Sequence, residues 1–216
     1  MARRSAKTWS LRDACIEEAL AIVEEQGVEA LSLREVARRL GVSHQAPYKH
    51  FSSRDHILAE LVARAFATFA AHLDARPSAD DASADLAALG RAYLDYASRH
   101  PLQYRLMFGT PLPDPGAHPE MMRNARHAFS VLQGVLGRRP APPGKSRSYD
   151  EVTLDALFVW SAVHGIASML QTNAISTLGL SRDVLEASRG HSMSRIGTAL
   201  GSELPPVAKA RRSRSR

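Results

Sequence analysis

Residues 32–51, SLREVARRLGVSHQAPYKHF, hold two short amphipathic runs separated by Gly41, with Pro47 standing where the second run should already be helical. Ser32 and Glu35 form a capping box, in which the serine oxygen accepts the amide of residue 35 and the glutamate returns a bond to the serine amide. A helix over 33–40 is expected to start there. Gly41 supplies a turn that can take positive φ at no steric cost, and Ser43 is placed to cap a second helix. Val36, Ala37, Leu40 and Val42 complete the spacing of a helix-turn-helix, the small alanine letting two helices approach. Only the first few amides of a helix lack an internal partner, so a proline soon after Ser43 forfeits at most one bond. In mid-helix it would cost ~3 kcal/mol or more. Pro47 therefore argues for an element that works at its N-terminal end.

In such a pair the second member is held proud of the body so that its leading side chains enter a major groove. The side chains offered are Ser43, His44, Gln45, Ala46, Tyr48 and Lys49. Gln45 can bond adenine through both amide atoms, His44 can meet a base edge, and Ala46 can touch a thymine methyl. Tyr48, Lys49, His50 and Arg54 suit phosphate oxygens, which set register without reading sequence. Arg34 can reach the backbone in the same way, while Arg3, Arg4 and Lys7 form either a minor-groove arm or merely a basic start. Phe51 reads as a core aromatic. The pattern alone does not oblige DNA binding, because two helices joined at a glycine occur in many helical proteins.

Charge is informative through its placement. The net charge of +6 invites a nucleic-acid reading, yet residues 1–60 hold nine basic and nine acidic side chains. Lys209, Arg211, Arg212, Arg214 and Arg216 crowd the end of a low-complexity tail that is expected to be disordered. The single cysteine, Cys15, excludes an intramolecular disulfide and points to a reducing, cytoplasmic location. No unbroken apolar run follows the basic start, so no secretory signal is expected. The least polar stretch, 156–170, falls short of the ~20 residues of a spanning helix and contains Ser161, His164 and Ser168. It reads as a buried helix, with no membrane partner.

Apolar residues recur three and four positions apart through most of the chain and strand signals are nearly absent, so the fold class is all-α. Leu11, Cys15, Ala19, Ile22 and Val23 line one face of a helix over 11–26, stopped by Gly27. Ser52 with Asp55 suggests another capping box, opening a helix that runs to about Leu73. Further helices are expected at 84–99, 101–108, 119–137, 149–174 and 182–201, separated by proline-rich links. The expected division is a three-helix helix-turn-helix domain over 1–55, a helical ligand-binding and dimerisation domain over 56–203, and the tail at 204–216.

The run LSLREVARRLGVSHQAPYKHFSSRDHILAEL, 31–61, preceded by ACIEEALAIVEEQG, 14–27, resembles the N-terminal DNA-binding domain of TetR-type transcriptional regulators. The likeness covers about Leu11 to Leu61 and is most specific at Tyr48, Phe51, Ser53 and Arg54. Pro47 departs from it, standing where the family more often has an aliphatic residue. YRLMFG at 104–109 and WSAVHGIASML at 160–170 resemble the ligand-binding domain of the subgroup named for a Trp-His-Gly motif, matched here by Trp160, His164 and Gly165. The resemblance implies a homodimer on a palindromic operator in double-stranded DNA, released in most members by a small molecule.

The C-terminal half adds its own argument. No acidic or basic side chain falls between Asp155 and Arg182, and the helix there is apolar all round, so it must be covered on several sides. One side can pack on its own body and the other on a second copy, Gly165, Ala167 and Ser168 being small enough for close approach and the final helix its companion. Trp160, His164 and Leu157 share a face. Turned inward, they can meet Tyr104, Met107, Phe108, Met122 and Phe129 around a pocket for a small apolar or amphipathic ligand. The competing reading makes them ordinary core residues. The nine histidines form no His-x-x-x-His pair with an acidic neighbour, Cys15 has no evident base beside it, and no glycine-rich phosphate loop is present. The leading expectation is a ligand-responsive repressor that is not an enzyme and needs no cofactor or metal. Two other classes stay open: a helical enzyme using His164, and a protein binding DNA nonspecifically through its tail.

Overall fold

The computed structural model describes residues 10–141, 146–172 and 175–201, and among these the regular structure is entirely helical. The tail and the basic trio Arg3, Arg4 and Lys7 lie outside the described residues. The α-helices are α1 (Leu11–Gln26), α2 (Leu33–Leu40), α3 (Arg54–Asp74), α4 (Ala82–Arg99), α5 (Pro101–Phe108), α6 (Arg123–Gly137), α7 (Tyr149–Gln171) and α8 (Arg182–Gly201).

Local chemistry sets the ends of α2. Ser32 accepts the Glu35 amide at 3.1 Å, but the Glu35 carboxylate does not return to Ser32; Arg38 and Arg39 take it instead. Charge-assisted bonds to two guanidiniums outcompete a bond to one neutral amide. At the other end Gly41 turns left-handed, with φ 66, its amide donating to the Arg38 carbonyl and that of Val42 to the Ala37 carbonyl. This is a Schellman close, which satisfies the last carbonyls of α2.

The α-helix expected after Ser43 is replaced by a tighter element. The Ser43 carbonyl accepts the Ala46 amide at 2.9 Å, and Pro47–Lys49 continues as a 3₁₀ turn. Pro47 has no amide to give Ser43, so that carbonyl takes the one before it and the segment winds with three residues per turn. The opening of α3 also shifts. Ser53, not Ser52, is the cap, accepting the His56 amide at 3.1 Å, while His56 Nδ1 accepts the Ser52 amide at 3.3 Å. The cap therefore stands one residue later than expected and is not a reciprocal box, since the imidazole accepts the amide of Ser52 and not that of the capping Ser53.

Helix α3 ties the two halves together without a linker. Its Glu60 and Arg64 face α1, pairing with Arg12 and Asp13, whereas Phe66 and Phe69 face α4 and α5, edge-on to Phe108, Tyr93 and Tyr96. One continuous apolar core runs from Ile22 and Phe51 through Val62 and Phe69 to Leu106, Leu136 and Val159. Asp85, almost fully buried on α4, is neutralised by Arg76 and Arg138. The helix expected from Pro119 begins as a 3₁₀ turn, Pro119–Met122, packed on α3, before α6 starts at Arg123. Helix α7 seals Ala156, Val159, Val163 and Ala167 into the core and leaves Leu154, Phe158 and Met169 exposed. By length and composition alone α7 could cross a membrane, its mean hydropathy reaching 1.4; the buried helix expected there is sealed on one face only, with 28% of its apolar stretch buried.

Candidate nucleic-acid interface and ligand cavity

Two buried rings clip segment 43–51 to the body. Pro47 is buried, and Phe51, with no exposed surface, lies 5.5 Å beneath the Arg12 guanidinium and edge-on to His56. Ser43, His44, Gln45, Tyr48, Lys49 and His50 are left exposed, with Ala46 half-buried. Arg34 is exposed on the first turn of α2.

The surrounding charges are largely spent inside the domain. Arg39 pairs with Glu18, Glu25 and Glu35, Arg12 with Glu60, and Arg64 with Asp13 and Glu60. Arg38, followed by Arg39, holds the Glu35 carboxyl down at about 2. Arg34 and Lys49 take part in no ion pair among the described residues, so two uncompensated cations border the exposed segment. Arg54, expected on a phosphate, is about one-third exposed and also braces the backbone. Its Nε donates to the Leu31 carbonyl at 3.1 Å and its Nη2 to the Val28 carbonyl at 2.8 Å, fastening α3 to the turn between α1 and α2.

In the C-terminal half, a cavity of about 580 Å³ opens among α3, α4, α6 and α7. Of the residues proposed from the sequence, Met107, Phe108, Met122, Phe129 and Trp160 line it. Sequence reasoning missed Phe66, Phe69 and Leu89, whose apolar periodicity is indistinguishable from that of ordinary core. Leu157 does not line it and is 42% exposed, being one position, and so about 100° of helix, beyond buried Ala156. Tyr104 and His164 also stand outside this lining and form a polar partition behind it.

That partition is a hydrogen-bonded chain. The Tyr104 hydroxyl lies 2.7 Å from His164 Nδ1, that of Tyr93 lies 3.0 Å from the same nitrogen and 3.3 Å from the Tyr104 oxygen, and His164 Nε2 faces the Ser168 hydroxyl at 3.3 Å. Burial pushes the His164 pKa down and those of Tyr93 and Tyr104 up, so all three are neutral near pH 7. Each nitrogen of the neutral ring lies within hydrogen-bond reach of a hydroxyl.

A chain of contacts links the cavity to the exposed segment. Met122, on the cavity wall, ends the 3₁₀ turn that packs on α3; His118, just before that turn, stands 5.9 Å from the His56 ring, and His56 touches Phe51.

A helix-turn-helix clipped to the end of a helical body that encloses an apolar cavity defines a class: DNA-binding regulators with a separate helical domain. Residues 16–61 match "Bacterial regulatory proteins, tetR family" and residues 86–191 match "Tetracyclin repressor-like, C-terminal domain". The chain belongs to the TetR family of bacterial transcriptional regulators. It is 37% identical over 111 residues to the HTH-type transcriptional regulators Mb1846 of Mycobacterium bovis and Rv1816 of Mycobacterium tuberculosis, an overlap of 50% of this chain and 47% of theirs. The match thus spans about half the length of these curated relatives. A structure of a protein with unknown function from Rhodococcus sp. RHA1 superposes with a TM-score of 0.67 at 27% identity, covering 89% of this chain and 98% of that one. The putative regulatory protein SCO4313 shares the fold, with a TM-score of 0.69 at 24% identity over 86% of this chain and 94% of its own.

Proposed function

We propose that the protein is a repressor that binds a palindromic operator as a homodimer and leaves it when a small apolar or amphipathic molecule fills the cavity between α3 and α7. The observation that carries this reading is the segment held by Pro47 and Phe51, whose outer side chains are exposed while neighbouring Arg12, Arg39 and Arg64 are paired internally and Arg34 is not. Gln45 and His44 read base edges, with Ala46 against a thymine methyl. Ser43, Tyr48, Lys49, His50 and Arg34 hold phosphates. The DNA-binding unit is 1–55, and 56–203 binds the ligand and the second copy.

Dimerisation is supported by the outer stripe of α7. Leu154, Phe158, Ser161, Gly165 and Met169 recur at helical spacing, and all but half-exposed Gly165 are exposed. A Cβ at Gly165 would meet nothing within the chain, so the space there is open to a partner helix. Two recognition segments ~34–36 Å apart then meet successive major grooves. A ligand favouring a state with the wrong spacing weakens DNA binding by its differential affinity for that state.

Fluorescence anisotropy with an operator duplex and base-substituted versions tests the assignment. Gln45→Ala is expected to cost ~1–3 kcal/mol on the operator and to flatten base preference, while Lys49→Ala weakens every sequence alike and lowers the salt dependence. Equal losses on all sequences from both variants would refute the division of roles.

A further inference from the structure

Behind the Tyr93, Tyr104 and His164 partition lies a second cavity, of about 550 Å³, among α4, α5, α7 and α8. Its chemistry differs from that of the first. Arg105 and Arg189 line it, together with Ser98, Ser168, Gln171 and Thr172. Both are exposed residues, and among the described residues neither has an ion-pair partner, so the hollow carries two positive charges with no paired carboxylate. Gly109 helps to seat one of them: a Cβ there would stand 3.1 Å from Arg105 Cγ, so only glycine leaves the arginine stem undisturbed.

The two cavities meet at one residue. Phe108 lines both, lies 4.8 Å from the His164 ring, and ends α5 half-buried. Rotation of this ring about its own side-chain bonds is the smallest change that joins an apolar chamber to a cationic one. A wide, rigid ligand cannot thread that passage; a narrow, flexible chain can.

We infer that the two cavities form one site divided by Phe108, and that its ligand is an aliphatic chain with an anionic head group, carboxylate or phosphate. The head group sits on Arg105 and Arg189 and the chain runs past Phe108 into the apolar cavity. This rests on the reading of the first cavity as the effector site, and it names the class of effector.

Calorimetric titration of the full chain without DNA, using dodecanoate, dodecyl phosphate, dodecanol and octanoate, tests it. Dodecanoate or dodecyl phosphate should bind tighter than dodecanol, and each methylene removed between dodecanoate and octanoate should weaken binding about 4-fold. The double variant Arg105→Gln, Arg189→Gln should bind the anionic probe about 10-fold more weakly and dodecanol unchanged, the latter also showing that the variant is folded. Dodecanol binding as tightly as both anions, or equal losses for anion and alcohol in the variant, overturns the head-group assignment while leaving the effector cavity standing. Affinity that depends on the arginines but not on chain length overturns the joined site. Failure of all four probes to bind overturns both the inference and the effector reading of the first cavity.

Discussion

Replacing Pro47 with alanine asks whether the proline anchors the recognition segment or merely interrupts it. Alanine lacks two ring methylenes that are buried here, a loss of about 1.6 kcal/mol at ~0.8 kcal/mol each. It also frees the unfolded chain, which costs a further ~0.4–1 kcal/mol. Against this, the new amide can donate to the Ser43 carbonyl, a gain of ~0.5–1 kcal/mol because that carbonyl already accepts from Ala46. The net expectation is a loss of about 1–2 kcal/mol, a fall in Tm of roughly 3–6 °C for a chain of this size. Urea denaturation followed by circular dichroism measures the first quantity and a thermal scan the second. A variant as stable as the parent, or more so, would refute the reasoning and make Pro47 a strained interruption that the domain tolerates.

Phe51→Ala, at a fully buried ring packed beneath Arg12, should cost ~3–5 kcal/mol by urea midpoint. Arg54→Met removes the bonds to the Leu31 and Val28 carbonyls and should cost about 1–2 kcal/mol of stability; a normal denaturation midpoint with weakened DNA binding would return Arg54 to the phosphates. His118→Ala should leave operator affinity and ligand affinity each intact but reduce their mutual coupling by ~0.5–2 kcal/mol, read from operator titrations with and without ligand. For His164 the sign follows from burial: its folded pKa lies below the ordinary 6.5, so the unfolded chain takes up a proton first as pH falls. Its contribution to stability is present above about pH 6.5 and lost below it, and His164→Gln should flatten that acid-side decline in urea midpoints measured from about pH 7 to 5.

Most helices are legible because their ends are written locally. Ser32 and Gly41 bound α2, and Pro101 opens α5 directly after α4. Errors arise where two neighbours compete for one role. Ser52 and Ser53 both offer a hydroxyl, and His56 decides between them by accepting the Ser52 amide, which leaves Ser53 to cap. Glu35 could serve Ser32 or the arginines three and four positions on, all of them local, and charge decides for the arginines. The 3₁₀ winding at Pro47 follows from a missing amide, yet the burial of its ring depends on packing against α1 and α2. At the cavity, the face carrying Met122, Phe129 and Trp160 is readable, while the contribution of Phe66, Phe69 and Leu89 is not, since a cavity wall and a packed core have the same apolar period. Arg105 and Arg189 look like any surface arginines until α5 and α8 are seen to face one hollow.

The central claim is that the exposed segment reads a two-fold operator, and incubating the purified protein with fragmented DNA from its source at physiological salt, then sequencing what it retains, tests that most directly. The account predicts a shared palindrome with half-sites about one helical turn apart. Retention with no common sequence would contradict it, leaving charge alone to account for binding.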